Sequence, residues 1–219
     1  AWALRRGKGV DDHFPRDVVE LMGYLGDPQP GQPIHAIPGE GTHVPVYILG
    51  SSLYGAELAA QLGLPYAFAS HFAPAALEQA LEVYRSHFRP SAVLEKPHAM
   101  IAVNVYGAED METARQLRTS MQLAFVRLRT GNPGRIPRPV ERIEDHVPPE
   151  MLAMVNEALR VTVMGTPDEV KAGISDLIDR HAPDEIIFSA QIHDHAARKR
   201  SFEIAAGAMQ SLGHAQAAE

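Results

Sequence analysis

Three small residues, Gly50, Ser51 and Ser52, follow an apolar stretch and precede a helical pattern that begins near Tyr54. Such a loop lets backbone amides approach an anion closely, and the serine hydroxyls add hydrogen-bond donors. The N-terminus of the next helix favours negative charge, and Gly55 keeps its first turn uncluttered. The loop is therefore a candidate phosphate-binding site. A serine-capped helix without a ligand is the alternative, and these residues alone favour it.

Two further polar residues stand beside apolar strands. His71 follows the predicted strand 66–69, and its imidazole could bind a ligand ring or transfer a proton as a catalytic group. A loop histidine bonded to a backbone carbonyl is an equal alternative. Asn104 interrupts the apolar stretch 102–105, where a buried amide is costly unless it is hydrogen-bonded. For Asn104 we favour a bond to a neighbouring strand over a bond to a ligand.

Other motifs indicate less. His193 and His195 have the spacing of a metal-ligand pair, but Asp194 between them is a natural N-cap for the helix that follows. No second cluster supplies further ligands, so we predict no metal site. Ser51 lacks the Gly-x-Ser-x-Gly elbow of hydrolases. Glycine-rich fingerprints of nucleotide-triphosphate and dinucleotide sites are also missing.

The composition limits the classes of partner. The chain has 219 residues, a formal net charge of −7 and no cysteine, and 45% of its residues are hydrophobic. We therefore expect a globular cytoplasmic protein without disulfides or thiolate chemistry. Neither a basic tract nor an apolar run of about 20 residues is present, so we expect no nucleic-acid partner and no membrane partner.

Periodicity and turn signals divide the chain into alternating strands and helices. A capping box at Thr166 and Glu169, followed by Pro167, marks one helix start. Four strands are predicted, over residues 44–49, 66–69, 99–105 and 184–189. Helices are predicted over residues 15–25, 54–62, 74–87, 112–129, 149–159, 167–180 and 195–212. The first strand is apolar at every position, which is typical of a strand buried on both faces.

This alternation predicts an α/β fold with a parallel sheet. Four strands do not close a barrel, which needs about eight. Because Ala1 falls inside a helix-like pattern, we expect that part of a barrel is missing. Residues 1–13 as a whole, basic and then polar, are expected to be irregular. We treat residues 1–219 as one incomplete domain. Residues 131–149, rich in proline, glycine and charge, are predicted to be an insertion loop.

Three stretches together carry a family resemblance. They are residues 44–74, with Gly50-Ser51-Ser52 at their centre, the Gly165-Thr-Pro-Asp-Glu-Val170 segment, and Asp184-Glu-Ile-Ile-Phe188 followed by residues 193–203. In this order and spacing they resemble bacterial luciferase-like, flavin-dependent monooxygenases, and most closely the alkanal-monooxygenase-like members. The resemblance covers nearly the whole chain. The opening third of the family's proteins has no counterpart in this sequence, although members of the family also place site residues there.

The resemblance implies a (β/α)₈ TIM barrel with its site at the carboxyl ends of the strands. It implies FMN as cofactor, with Gly50, Ser51, Ser52, Tyr54 and Gly55 at the phosphate, and it reverses the preference for a merely capped helix. Asn104 would contact the flavin ring. Reduced FMN and O₂ would act on an aldehyde or another small organic substrate, with NAD(P)H used directly or through a flavin reductase, in a homodimer.

Three alternatives stay open. A deazaflavin-dependent oxidoreductase of the same fold would transfer hydride without oxygen. A non-catalytic flavin-binding protein would use the same loop without chemistry. An aldolase or isomerase acting on a phosphate ester in an unrelated barrel is disfavoured by the three motifs taken together.

Overall fold

The computed structural model describes residues 13–216, and they separate into two compact units that meet in sequence between Tyr47 and Ile48. The basic segment predicted to be irregular, residues 1–13, lies outside the described part except for its last residue. No helix of the described range is long and apolar enough to cross a membrane.

The first unit is one helix closed by a loop. Helix α1 spans Phe14–Leu25, with Pro15 in its first turn, where a missing amide hydrogen costs nothing. It ends at Gly26, whose amide donates to the Met22 carbonyl. The proline-rich segment then returns to the helix end, since the His43 amide donates to the Leu25 carbonyl at 2.9 Å.

The second unit is a parallel sheet surrounded by helices, which confirms the predicted α/β class. Its strands and helices alternate along the chain as predicted, with one addition, strand β4. In chain order they are β1 (Ile48–Gly50), α2 (Leu53–Leu62), β2 (Tyr66–Phe68), α3 (Leu77–His87), β3 (Ala99–Gly107), α4 (Met111–Arg129), α5 (Pro149–Ala158), β4 (Thr162–Gly165), α6 (Pro167–His181), β5 (Glu185–Ser189) and α7 (His195–Gln216).

Strand β3 organises the sheet, because three strands pair with it. The His98 carbonyl, just before β3, accepts from Tyr66 of β2, and the Asn104 amide of β3 donates to the Val161 carbonyl, just before β4. The Ala99 carbonyl accepts from the amide of Asp184, next to β5. In a strand, even and odd residues present their backbone groups to opposite edges. Strands β2 and β4 therefore share one edge of β3, one behind the other, and β5 occupies the other edge.

The four predicted strands are thus consecutive neighbours, in the order β1, β2, β3 and β5. Strand β4 was missed because four residues between two helices give too short a pattern to recognise. It extends the sheet past the end of β2, where Asn104 pairs with Thr162 and Gly107 with Gly165.

Helices α2, α6 and α7 pack on one face of the sheet through glycines. Gly55 of α2 lies beside Ile48, and Gly173 of α6 lies against Val163. Gly107 of β3 lies against Ile204 of α7, where an added Cβ would be 2.9 Å from the isoleucine side chain. Close backbone approach of this kind places the helices tightly on the apolar face, which forms the core.

The opposite face is only partly covered, and this corrects the prediction of a first strand buried on both sides. Leu49 of β1 is 70% exposed and Ile187 of β5 is 54% exposed, and both lie on this face. The strand is also shorter than predicted, Ile48–Gly50, because residues 44–47 have no ladder partner. An apolar sequence could not tell a strand with one uncovered face from a fully buried one.

Residues 131–149 contain no strand, and their one regular piece before α5 begins is a 3₁₀ turn at Ile143–Asp145. Ile143 and Val147 are buried, so the segment is fixed against the second unit by two apolar side chains. The Val140 amide donates to the Thr119 hydroxyl at 2.9 Å, which adds a polar contact to α4.

Candidate functional site

Parallel strands end on the same side of a sheet, so the segments after β1, β2, β3 and β5 lie along one edge. The Ala69 amide donates to the Gly50 carbonyl at 2.9 Å, which joins the first two segments. The Asn104 side chain donates to the His71 carbonyl at 2.5 Å, which joins the second and third. Ser189, the last residue of β5, is the register partner of Asn104. The predicted site residues are therefore neighbours in the structure.

The loop at Gly50 is built around a close approach of two glycines to Tyr66. A Cβ on Gly55 would lie 3.4 Å from the Cα of Gly50 and 3.4 Å from the ring of Tyr66. The Tyr66 hydroxyl, held protonated because burial raises its pKa, donates to the Ser52 carbonyl at 3.2 Å. Glycine at both positions brings the loop and the first turn of α2 together.

The serine hydroxyls of this loop face outward. Ser52 is the N-cap residue of α2, with extended backbone angles, but its side chain makes no capping hydrogen bond. Ser51, Ser52 and Tyr54 are all exposed. Ser52 thus stands at the N-cap position, as the alternative of a serine-capped helix has it, but its hydroxyl does not cap the helix. The amides of the first helical turn lack a side-chain acceptor from the cap and can bond to an external anion.

His71 is half-buried at the end of β2, with its ring edge-to-face against Phe72 at 4.7 Å between centroids. Its Nδ1 atom is shielded from solvent and has no hydrogen-bond partner. Burial lowers the pKa of the imidazole, so the ring is neutral near pH 7. A neutral imidazole offers one donor and one acceptor, and here one of its two nitrogens has nothing to bond to.

Asn104 is buried, at 1% exposure, in the middle of β3. Its amide nitrogen donates to the His71 carbonyl, so the bond goes to the loop after β2 and not to a neighbouring strand as predicted. Its Oδ1 atom is buried without a partner. An orphaned buried acceptor costs about 1–3 kcal/mol, so the residue has an unmet capacity for one donor.

Ser70, which precedes the candidate His71 after a predicted strand, is a positioning residue whose role the sequence did not reveal. Its hydroxyl donates to the Ala102 carbonyl at 2.6 Å and accepts from the Ala102 amide at 3.1 Å. The hydroxyl thereby bonds to the backbone groups of β3 that lie between those paired with β2 and those paired with β4. A small polar residue directly after a buried strand was the available signal, but its pairing depends on tertiary structure.

The segment after β5 behaves as a helix start. Asp194 accepts a hydrogen bond from the Ala197 amide at 2.8 Å, as expected of an N-cap. The Nδ1 atom of His195 lies 2.9 Å from the Arg198 guanidinium. Within residues 13–216, no three His, Asp or Glu side chains are grouped as metal ligands.

Comparison with known proteins gives a consistent result. The family model described as luciferase-like monooxygenase matches residues 16–182. A luciferase-like monooxygenase of Escherichia coli K12 is 46% identical over 96% of this chain, and the uncharacterized protein YvbT of Bacillus subtilis is 44% identical over 94%. The chain spans 63% and 62% of the lengths of these two relatives.

Solved structures agree with the fold. That of apo-MsnO8 superposes with a TM-score of 0.74 at 25% identity, covering 92% of this chain and 61% of the other. The coenzyme F420-dependent tetrahydromethanopterin reductase of Methanopyrus kandleri gives a TM-score of 0.53 at 14% identity, covering 86% and 60%. The second likeness concerns the fold alone.

Proposed function

The chain belongs to the luciferase-like monooxygenase family, and we propose that it carries the phosphate-binding part of an FMN-dependent oxidoreductase site. The family makes an oxidoreductase the natural class of enzyme. The observation that carries the proposal is the open helix start at Ser52. Its cap hydroxyl is not used within the protein, and the two glycines behind it leave room for close backbone approach.

The residues present fit a flavin. Ser51, Ser52 and the first amides of α2 would hold the phosphate, because donors at a helix N-terminus favour a dianion. The buried Oδ1 of Asn104 and Nδ1 of His71 have no protein partner and would bond to polar atoms of the ring. Two orphaned buried atoms on adjacent segments are an expected feature of a site that a ligand completes.

When bound, reduced FMN would supply the electrons and the reaction with O₂, and we propose an aldehyde or another small organic molecule as substrate. The chain's own residues would bind and orient the flavin and shield it from water. His71, neutral near pH 7, would donate or accept a proton at its orphaned nitrogen. Asn104 holds the backbone of His71 in place through its amide nitrogen.

The proposed site includes residues from the part of the longer relatives that this chain does not span. Leu49 and Ile187 expose apolar side chains on the uncovered face of the sheet, which is the face of Asn104. We propose that further strands, such as a barrel would supply, complete the site from that side. We also propose a homodimer in the cytoplasm, supplied with reduced flavin by a reductase or directly by NAD(P)H, on the strength of the family resemblance.

Binding of FMN and riboflavin, measured by calorimetry, tests the phosphate assignment. Replacing Ser51 and Ser52 together by alanine should weaken FMN binding about tenfold or more, because charge-assisted hydrogen bonds contribute about 1.5–3 kcal/mol. Riboflavin, which has no phosphate, should bind equally to both forms. Ser86→Ala, at an exposed serine of α3, is the matched control. Absent FMN binding, or equal loss for both ligands, would contradict the assignment.

A deazaflavin cofactor is the second candidate, favoured by the fold it shares with the F420-dependent reductase. Oxygen consumption with reduced FMN and a medium-chain aldehyde supports the first candidate. Substrate oxidation coupled to reduction of deazaflavin under anaerobic conditions supports the second. Binding without either turnover would identify a non-catalytic flavin-binding protein.

A further inference from the structure

A cleft of about 570 Å³ lies between α4, α5 and the segment before α5. None of the flavin-site residues named above lines it. Its floor is polar, with Arg118, Gln122 and Asn156, and its walls include the apolar side chains of Ile143 and Leu152. The volume falls in the range of small-molecule sites, about 300–1,000 Å³.

Arg118 is the unusual residue of this cleft. Its guanidinium donates to the Asn156 Oδ1 atom at 3.2 Å, and that neutral amide is its one hydrogen-bond acceptor among the described residues. Its Nε atom is shielded from solvent without a partner. No carboxylate of the described range lies within salt-bridge distance of it. A guanidinium has five N–H donors, and Arg118, which is only partly exposed and has no counter-charge in the described range, keeps most of them available for a ligand.

The side-chain amides of Asn156 and Gln122 leave the donors of Arg118 directed at the cleft. Asn156 Oδ1 also accepts from the Gln122 side chain at 2.8 Å, so this oxygen is fully used. The amide nitrogen of Asn156 therefore remains as a second donor beside the guanidinium. Burial lowers the pKa of Arg118, in agreement with its removal from solvent, but the group keeps its charge.

The rim of the cleft restricts the anion. Glu112, Glu141, Glu144 and Arg115 line it and are exposed, so solvent screens their charges. Because the three carboxylates outnumber the one arginine, the rim still disfavours a dianion such as phosphate. A single carboxylate matches the planar fork of the Arg118 guanidinium and carries only one negative charge past the acidic rim, so it is the anion that best fits the cleft.

We propose that this cleft binds a small organic monocarboxylate, with its carboxylate on Arg118 and its apolar body against Ile143 and Leu152. Arg118 supplies the charge and Asn156 the second donor. The site is defined by side chains of α4 and α5, and it does not rest on the assignment of FMN to the loop at Gly50.

Hexanoate and its neutral analogue hexanamide are suitable probes for the full chain. Titrations followed by methyl NMR should show saturable shifts of the Ile143, Leu152 and Met164 methyl groups with hexanoate. Hexanamide should bind at least tenfold more weakly, and inorganic phosphate should leave these methyl groups unshifted. Equal binding of hexanoate and hexanamide, or shifts that do not saturate, would overturn the proposal without any variant.

Variants then assign the charge to one residue. Arg118→Gln should weaken hexanoate binding about tenfold or more and leave hexanamide binding unchanged. Arg127→Gln removes an exposed arginine from the same helix and should leave both unchanged. Full hexanoate affinity in a folded Arg118→Gln protein would overturn the proposal. If that variant does not fold, the comparison of hexanoate with hexanamide on the unaltered chain still tests whether the cleft prefers a carboxylate.

Discussion

The side chain of Asn104 holds the backbone of His71: its amide nitrogen, on β3, donates to the His71 carbonyl in the loop after β2 at 2.5 Å. The same side chain leaves its oxygen unpartnered, and the His71 ring leaves Nδ1 unpartnered. One hydrogen bond thus joins the two residues whose orphaned atoms we assign to the flavin ring.

Asn104→Asp should separate the two halves of this amide. Ionised aspartate keeps acceptors, has no donor for the His71 carbonyl and buries a charge, so the free energy of unfolding should fall by at least about 1–3 kcal/mol. FMN binding should weaken as well. Urea denaturation and calorimetry measure the two effects. Asn132→Asp removes an exposed amide bonded to the Thr130 carbonyl and should change neither quantity appreciably; equal losses in both variants would contradict the role of Asn104.

Gly55→Ala should weaken FMN binding, because its methyl group would lie 3.4 Å from both Gly50 and the Tyr66 ring. The loop has to shift by a few tenths of an ångström, and the serine donors shift with it. Gly207→Ala is the control, since a methyl group there meets nothing within 4 Å and lies in a helix. It should raise stability by about 0.5–1 kcal/mol and leave FMN affinity unchanged. An FMN affinity unaltered by Gly55→Ala would show that the close approach is not needed.

Two fully buried serines should respond oppositely to removal of their hydroxyls. Ser70 bonds to both backbone groups of Ala102, whereas the hydroxyl of Ser120 has no partner. Ser70→Ala should lower the free energy of unfolding by about 1–3 kcal/mol and speed hydrogen exchange of the Ala102 amide, while Ser120→Ala should be neutral or stabilising. Denaturation and amide exchange measure both. A Ser120→Ala variant as damaged as Ser70→Ala would refute this ranking of the two hydroxyls.

His71 should make the protein less stable as the pH falls. Its pKa in the folded state lies below the ordinary 6.5 because burial disfavours the charged ring, so the unfolded chain binds the proton more readily. The free energy of unfolding should therefore decrease from pH 7.5 to pH 5.5. His71→Gln should reduce this decrease, and His181→Gln, at another histidine with a lowered pKa, should do the same. An NMR titration of the His71 ring with a midpoint above 6.5 would disprove the prediction.

Local signals in the sequence predicted much of this structure. The capping box of α6 is formed by Thr166 and Glu169 as expected, and Gly63 ends α2 in the left-handed conformation that glycine tolerates. These features depend on residues a few positions apart. The loop at Gly50 and the helix start at Asp194 were found for the same reason.

Features that depend on distant residues were not predictable. The exposure of Leu49 depends on which elements cover one face of the sheet, and the strand at Thr162 is recognisable only because it pairs with β3. Likewise, the sequence gives Asn104 a need for hydrogen bonds but does not name His71 as the partner. Such pairings follow from the packing of strands whose sequences carry no record of their neighbours.

Strand β4 returns the chain to the place that it left. Ala108 follows β3, and after α4, the irregular segment and α5 its amide bonds to the carbonyl of Gly165 at 2.9 Å. The chain between β3 and β4 is therefore a long insertion whose two ends lie on neighbouring strands, so its irregular part can change in length without altering those strands. Relatives that differ in this insertion would share one sheet and differ in the cleft between α4 and α5, and a chimaera joined at Ala108 and Val161 would exchange that cleft while keeping β4.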